Sequence, residues 1–147
     1  MKAVNSMRTV IDSRSVNESF ARVAVSAFAS QLDPTVEELS DIRTAVSEAV
    51  TNCIVHAYRE KNGKIYINCD IFENSVLRIK IRDTGCGIDD VKQAMQPLFS
   101  TLGGERAGLG FAVMESFMDK IKVRSVLEKG TTVTMEKKIS GKYSDDC

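Results

Sequence analysis

Residues 47–88 read SEAVTNCIVHAYREKNGKIYINCDIFENSVLRIKIRDTGCGI, and the order of patterns within them decides the fold. The first part has a helical period. From Leu39 onward, apolar residues recur at Ile42, Val46, Ala49, Cys53 and Ala57, in steps of three and four. Such steps put one apolar stripe on one helix face. Thr35-Val-Glu-Glu38 is a capping box at its start and Asn62-Gly63 a turn at its end, so the spacing predicts a helix over about 36–59. The period then changes to two. Ile65, Ile67, Cys69 and Ile71 alternate with polar residues, and after Glu73-Asn74-Ser75 so do Leu77, Ile79 and Ile81. This predicts two half-buried strands in a hairpin. Asp83 follows directly and leads Asp83-x-Gly85-x-Gly87.

Upstream, weak alternation over 2–12 predicts an opening strand. Ser15-Val-Asn-Glu18 has the form of a second capping box. Val16, Phe20, Val23, Ala27 and Phe28 follow at helical spacing, so a helix is expected over 16–31, broken by Asp33-Pro34. Downstream, 89–95 fits a short helix and 96–107, with Pro97 and Gly103-Gly104, a mobile loop. A third helix is expected over 109–119, a strand from Ile121 through Val123 to Leu127, a turn at Glu128-Lys129-Gly130, and a last strand through Val133 and Met135. The sum is an α+β chain, a two-layer α/β sandwich with helices on one face of a mostly antiparallel mixed sheet. Residues 1–140 are expected to form a single domain and 141–147 a short polar tail.

Composition excludes several classes. The 147 residues carry 43% hydrophobic and 27% charged residues, ordinary for a globular domain, and a formal net charge of zero. Nucleic-acid binding therefore gets no support from charge. No signal-type or membrane-spanning apolar run occurs, which makes the cytoplasm the expected location. Cys53, Cys69, Cys86 and Cys147 are widely spaced, and the one histidine, His56, completes no zinc set. Free thiols are expected, with Cys53 and Cys69 in the core. His56 either lines the edge of its helix face or packs.

Three constellations carry chemistry. Glu48 and Asn52 lie one helical turn apart, beside the apolar stripe. An amide oxygen is a hard, neutral ligand for Mg²⁺, and a carboxylate one turn away can accept a proton. Taken alone the pair is also compatible with a solvated helix face. The Asp83-x-Gly85-x-Gly87 loop offers a carboxylate for an exocyclic amine and glycines that let backbone approach a base; a turn that merely needs glycine is the alternative. Gly108-Leu-Gly110 opens the expected third helix, where backbone N–H groups favour phosphate, and Arg106 just before it can pair with a terminal phosphate. No GxxxxGK[ST], G-x-G-x-x-G, H-R-D or D-F-G is present.

In this order and on these elements, the three motifs resemble those of the GHKL superfamily of ATPases and kinases, whose Bergerat-type sandwich carries a lid over ATP. Asn17–Val25, Gln31–Pro34, Gln96–Phe99 and Glu115–Asp119 extend the resemblance over about 7–140 to the anti-sigma-F factors of spore-forming bacteria, which are also serine kinases. The resemblance implies ATP and Mg²⁺ as cofactors. It implies Glu48 as general base, Asn52 as metal ligand, and Asp83, Gly85, Gly87 and Thr131 around adenine. Gly108, Gly110 and Arg106 would attend the phosphates, and Arg22 would touch partners. It further implies a homodimer, a sporulation sigma factor as target, and a small anti-anti-sigma protein as serine phosphoacceptor. The alternatives are a nucleotide-gated binding module without kinase activity, and a truncated histidine kinase.

Overall fold

The fold is seen in a computed structural model that describes residues 2–59, 61–88 and 105–141. Five strands form one sheet in the order β1-β2-β3-β5-β4. They are β1 (Ala3–Asp12), β2 (Lys64–Phe72), β3 (Val76–Asp83), β4 (Lys120–Val126) and β5 (Gly130–Lys138). All four pairings are antiparallel. Tight turns join β2 to β3 and β4 to β5, and such turns allow no other direction. The sheet of the described residues is thus antiparallel throughout, beyond the mostly antiparallel mixed sheet expected.

Three helices, α1 (Val16–Ala29), α2 (Val36–Thr51) and α3 (Glu105–Phe117), cover one face. Ile65, Ile67, Leu77, Ile79, Ile81 and Met135 from the sheet are fully buried together with Val25, Ile42, Val46, Val50 and Met114 from the helices. The period-two pattern decides which side chains enter this layer. The phase that buries Leu77, Ile79 and Ile81 also turns Asp83 inward, and the phase that buries Val133 and Met135 does the same for Thr131. Asp83 and Thr131 are directly opposite in the β3–β5 register.

Several boundaries differ from expectation for local reasons. The box at Thr35 forms: Glu38 N donates to Thr35 Oγ1 at 3.1 Å and Thr35 N to Glu38 Oε1 at 3.0 Å. The box at Ser15 does not. Ser15 is already helical at φ −53°, so its side chain caps nothing, and Glu18 pairs instead with Arg22 at 2.7 Å. The first helical run continues as a 3₁₀ turn to Leu32, and Asp33 at φ +49° stops it ahead of Pro34. The predicted helix over 36–59 changes character after Thr51, where Asn52–Ala57 continue as a π-helix. The third helix begins at Glu105, earlier than the expected 109, because Glu105, Arg106 and Ala107 are good helix formers. The expected short helix over 89–95, loop residues 96–104 and the tail from Lys142, with Cys147, lie outside the described residues, as do the side chains of 105–109. Among the described residues no helix is long and apolar enough to cross a membrane.

Glu38 does more than cap α2. Its Oε2 accepts from the backbone N and Oγ of Ser140, both at 2.8 Å, and its Oε1 from Gly141 N at 3.2 Å. Partial burial would raise its pKa, but the hydrogen bonds from Thr35, Ser140 and Gly141 outweigh it and lower the value to about 2. A depressed carboxyl pKa stabilises the fold above the unfolded value of 4.5, and that contribution is lost as pH falls from there toward about 2. Glu38→Ala is therefore expected to lose at least about 1 kcal/mol at pH 7 and much less at pH 3. Urea unfolding at the two pH values checks this; an equal loss at both would contradict it.

Candidate nucleotide site

The site is organised along the C-terminal end of α2 and the π-helical turn that follows. Glu48 sits in the last turn of α2 and Asn52 is the first residue of the π segment. A π turn carries one extra residue per loop and is frequent at functional sites. Tyr58 N, which donates to Cys53 O at 2.9 Å, closes this wider turn. Asn52 presents both amide atoms, Oδ1 and Nδ2, to the interior with no hydrogen-bond partner among the described residues. A buried amide left this way costs on the order of 1–3 kcal/mol, so its retention points to a ligand.

The glycine of α3 meets this pair. A Cβ built on Gly110 would stand 3.2 Å from Glu48 Oε2 and 3.3 Å from each amide atom of Asn52. A side chain here would press on both groups, so glycine lets α3 approach α2 without displacing them. Gly108 lies on the same helix, inside its first turn and not ahead of it as the sequence suggested. The Arg106 backbone belongs to that first turn; its side chain lies outside the described residues.

The loop after β3 reaches the same helix from the other side. Cys86 N donates to Ala57 O at 3.0 Å, and a Cβ on Gly85 would be 2.4 Å from that carbonyl. Gly87, at φ +77°, passes against Val126, while Glu128 N donates to Cys86 O at 2.7 Å. Asp83 anchors the loop. It is 5% exposed, and its Oδ1 accepts from Gly85 N at 2.9 Å and Thr131 N at 3.3 Å. Burial pushes its pKa upward, against the hydrogen bonds from Gly85, the Cys53 thiol and Thr131. Burial, then the Asp83 charge, push the Cys53 thiol up as well, so it stays protonated and remains a donor.

Glu48, Asn52 and Gly110 thereby meet at the helical spine, Gly85 touches it at Ala57 and Asp83 through Cys53, while Thr131 stands beside Asp83 and Gly87 lies against Val126. Arg22 is not; it stands on α1 beside Glu18. His56 is half-buried in the π turn. Several participants escaped the sequence reading. Gly130, at φ +129°, passes so close to β3 that a Cβ would be 2.2 Å from Asp83 O. Ser125 Oγ lies 2.8 Å from Thr131 Oγ1 and accepts from Ile88 N at 2.7 Å. The Tyr58 hydroxyl accepts from Thr84 N at 2.8 Å. Gly130 had a signal, its place in a turn; Ser125 and Tyr58 had none, because their partners are distant in sequence.

The arrangement suits a nucleotide with a hard cation. The unpartnered Asn52 oxygen fits Mg²⁺, which prefers oxygen ligands and takes few from protein. No three His, Cys, Asp or Glu side chains cluster among the described residues, so a cation here would draw its other ligands from phosphate and water.

The sequence pattern of the histidine kinase-like ATPase domain matches residues 12–137. An anti-sigma F factor of Caldanaerobacter subterraneus subsp. tengcongensis is 56% identical over 95% of this chain and 97% of its own length. Those of Clostridium novyi and Geobacillus kaustophilus are 53% and 51% identical, each over 92% of this chain and 95% and 94% of their own. Among solved structures, the RsbU and RsbW domains of a Mycobacterium tuberculosis protein superpose with a TM-score of 0.68 at 17% identity, over 92% of this chain and 33% of theirs. The mycobacterial sensor histidine kinase MprB gives 0.56 at 14% identity, over 88% of this chain and 96% of its own. At these identities the structures speak for the fold. With its pattern, its relatives and its fold in agreement, this chain belongs to the histidine kinase-like ATPase family and, within it, to the anti-sigma F factors.

Proposed function

We propose that this chain is an anti-sigma factor that binds and inhibits a sporulation sigma factor, and that it is also an ATP-dependent serine kinase that inactivates an anti-anti-sigma partner. The observation that carries the nucleotide reading is the meeting of Gly110 with Glu48 and the buried amide of Asn52, unpartnered among the described residues. The names of the relatives support the anti-sigma activity, and residues 1–140 would act as one ATP-binding kinase domain in the cytoplasm. A homodimer fits the exposed apolar stripe Val16, Phe20 and Val23 on α1, and Arg22 on the same helix would meet partners.

Asp83 accepts a hydrogen bond from the adenine amine, with Gly85, Gly87 and Thr131 around the base. Gly108 and Gly110 leave room for the phosphates, and Arg106 pairs with the terminal one. Asn52 would hold Mg²⁺, which when bound would supply positive charge to the phosphates. The acceptor serine of the partner attacks the γ-phosphorus in line; its proton passes to the Glu48 carboxylate, and ADP leaves with the electrons of the broken bond.

Glu48→Ala is expected to bind ATP normally while serine phosphorylation falls roughly a hundredfold or more. Labelled ATP, a candidate anti-anti-sigma protein and phosphoamino-acid analysis check this. Transfer at the original rate would remove Glu48 as base, and acid-labile phosphohistidine would point to a histidine kinase. Binding of ATP without any transfer by the unaltered chain would leave a nucleotide-gated binding module.

Asp83→Asn is expected to weaken ATP about tenfold or more while leaving the fold intact, because a neutral side chain avoids the burial that raises the carboxyl pKa. The sign follows from that direction: a raised folded pKa means that the ionised carboxylate costs stability as pH rises through it. Calorimetry in the unaltered chain should show ATP affinity falling as acidification protonates Asp83, at higher pH than for an ordinary aspartate. Unchanged affinity in Asp83→Asn would place adenine elsewhere.

A further inference from the structure

The face of the sheet turned away from the helices carries its own pattern. The pairing register aligns its side chains in rows. Arg82 on β3 and Arg124 on β4 flank Thr132 on β5, and in the next row Lys80 and Lys122 flank Thr134. All four cationic residues are exposed, and the two threonines between them are half-buried. Strands are about 4.8 Å apart and alternate residues about 6.8 Å along. The four positions therefore mark a rectangle of roughly 10 by 7 Å, with threonine hydroxyls along its midline.

The acids on this face are already engaged. Glu136 pairs with Arg78 at 2.8 Å, Asp70 with Arg8 at 3.8 Å, and Asp12 with Lys64. None of Lys80, Arg82, Lys122 and Arg124 joins an ion pair among the described residues. The whole chain has zero formal net charge, so this is segregation of charge and not basic composition. Like charges held side by side on a sheet repel, and an anionic partner would turn that repulsion into attraction.

The aromatic rings on this face narrow the choice of partner. The Arg82 guanidinium lies 4.0 Å from the Tyr66 ring centroid, and that of Arg78 lies 4.7 Å from Phe72. Proteins that hold single-stranded nucleic acid offer open aromatic faces for bases to stack on. Here the guanidinium groups already occupy them, while their outward charge remains available to carboxylates.

We propose that this open sheet face docks an acidic, extended segment of a partner protein, with carboxylates at alternate residues pairing with Lys80, Arg82, Lys122 and Arg124. Alternate residues of an extended chain repeat at about 6.8 Å, the spacing of the two rows. Thr132 and Thr134 offer hydroxyls to the backbone laid between them. Asp83 and Thr131 face the opposite side of the sheet, so a partner held here leaves the nucleotide pocket open. The inference does not rest on the kinase reading.

The test is fluorescence anisotropy with a labelled peptide of alternating glutamate and serine, titrated with the full chain at roughly 50 mM salt. The chain should bind it. The double variants Lys122→Gln/Arg124→Gln and Lys80→Gln/Arg82→Gln should each weaken it about tenfold or more, the first with ATP affinity and thermal stability unchanged, and raising the salt should weaken it further. Equal binding by variants and unaltered chain, or no binding at all, would overturn the proposal. So would tighter binding of a single-stranded RNA of equal charge, or self-association of the chain that both variants abolish.

Discussion

A carboxylate buried at the end of a strand must be given donors or the fold loses stability around it. Asp83 is in that position because the alternation that sends Leu77, Ile79 and Ile81 into the core sends it there too. Its donors come from three places: Gly85 in its own loop, Thr131 across the sheet on β5, and the thiol of Cys53 on the helical spine. One side chain therefore ties together a loop, a strand and a helix. Once that loop is pinned, Gly85 and Cys86 fall against Ala57, and Gly87 against the turn between β4 and β5.

The π-helical turn works from the other direction. Its extra residue comes directly after Thr51, so Asn52 stands at the junction and Cys53 points to Asp83. Gly110 lets α3 close over Glu48 and Asn52. Stability and ligand chemistry pull apart here. The apolar stripe from Ile42 to Val50 holds the layer together, while Asn52 keeps two buried polar atoms unsatisfied by the described residues. A cation and phosphates at that point would relieve the cost.

Much of this was legible in the residues. The hairpin was plain because Ile65 to Ile71 and Leu77 to Ile81 alternate without interruption, and the capping box at Thr35 formed as its spacing suggested. The box at Ser15 failed because Ser15 is itself helical, and Glu18 pairs instead with Arg22 one turn on. The change from α to π after Thr51 leaves no mark on a period-based count, because the apolar stripe continues through it. The long-range members of the site, Tyr58, Ser125 and Gly130, depend on strand register and loop approach. Those are consequences of the assembled sheet, invisible to local pattern. The cationic rows on the open face were hidden likewise, since Lys80, Arg82, Lys122 and Arg124 become neighbours only across β5.

The central claim is that the end of α2, the loop after β3 and the start of α3 enclose a single nucleotide. Titration of the isotope-labelled chain with ATP and Mg²⁺, followed by amide chemical shifts, tests it most directly. The account predicts that amides of residues 48–57, 83–87, 108–110 and 130–131 move together with one shared midpoint. Shifts confined to one of these segments, separate midpoints for different segments, or a spectrum indifferent to ATP would contradict it.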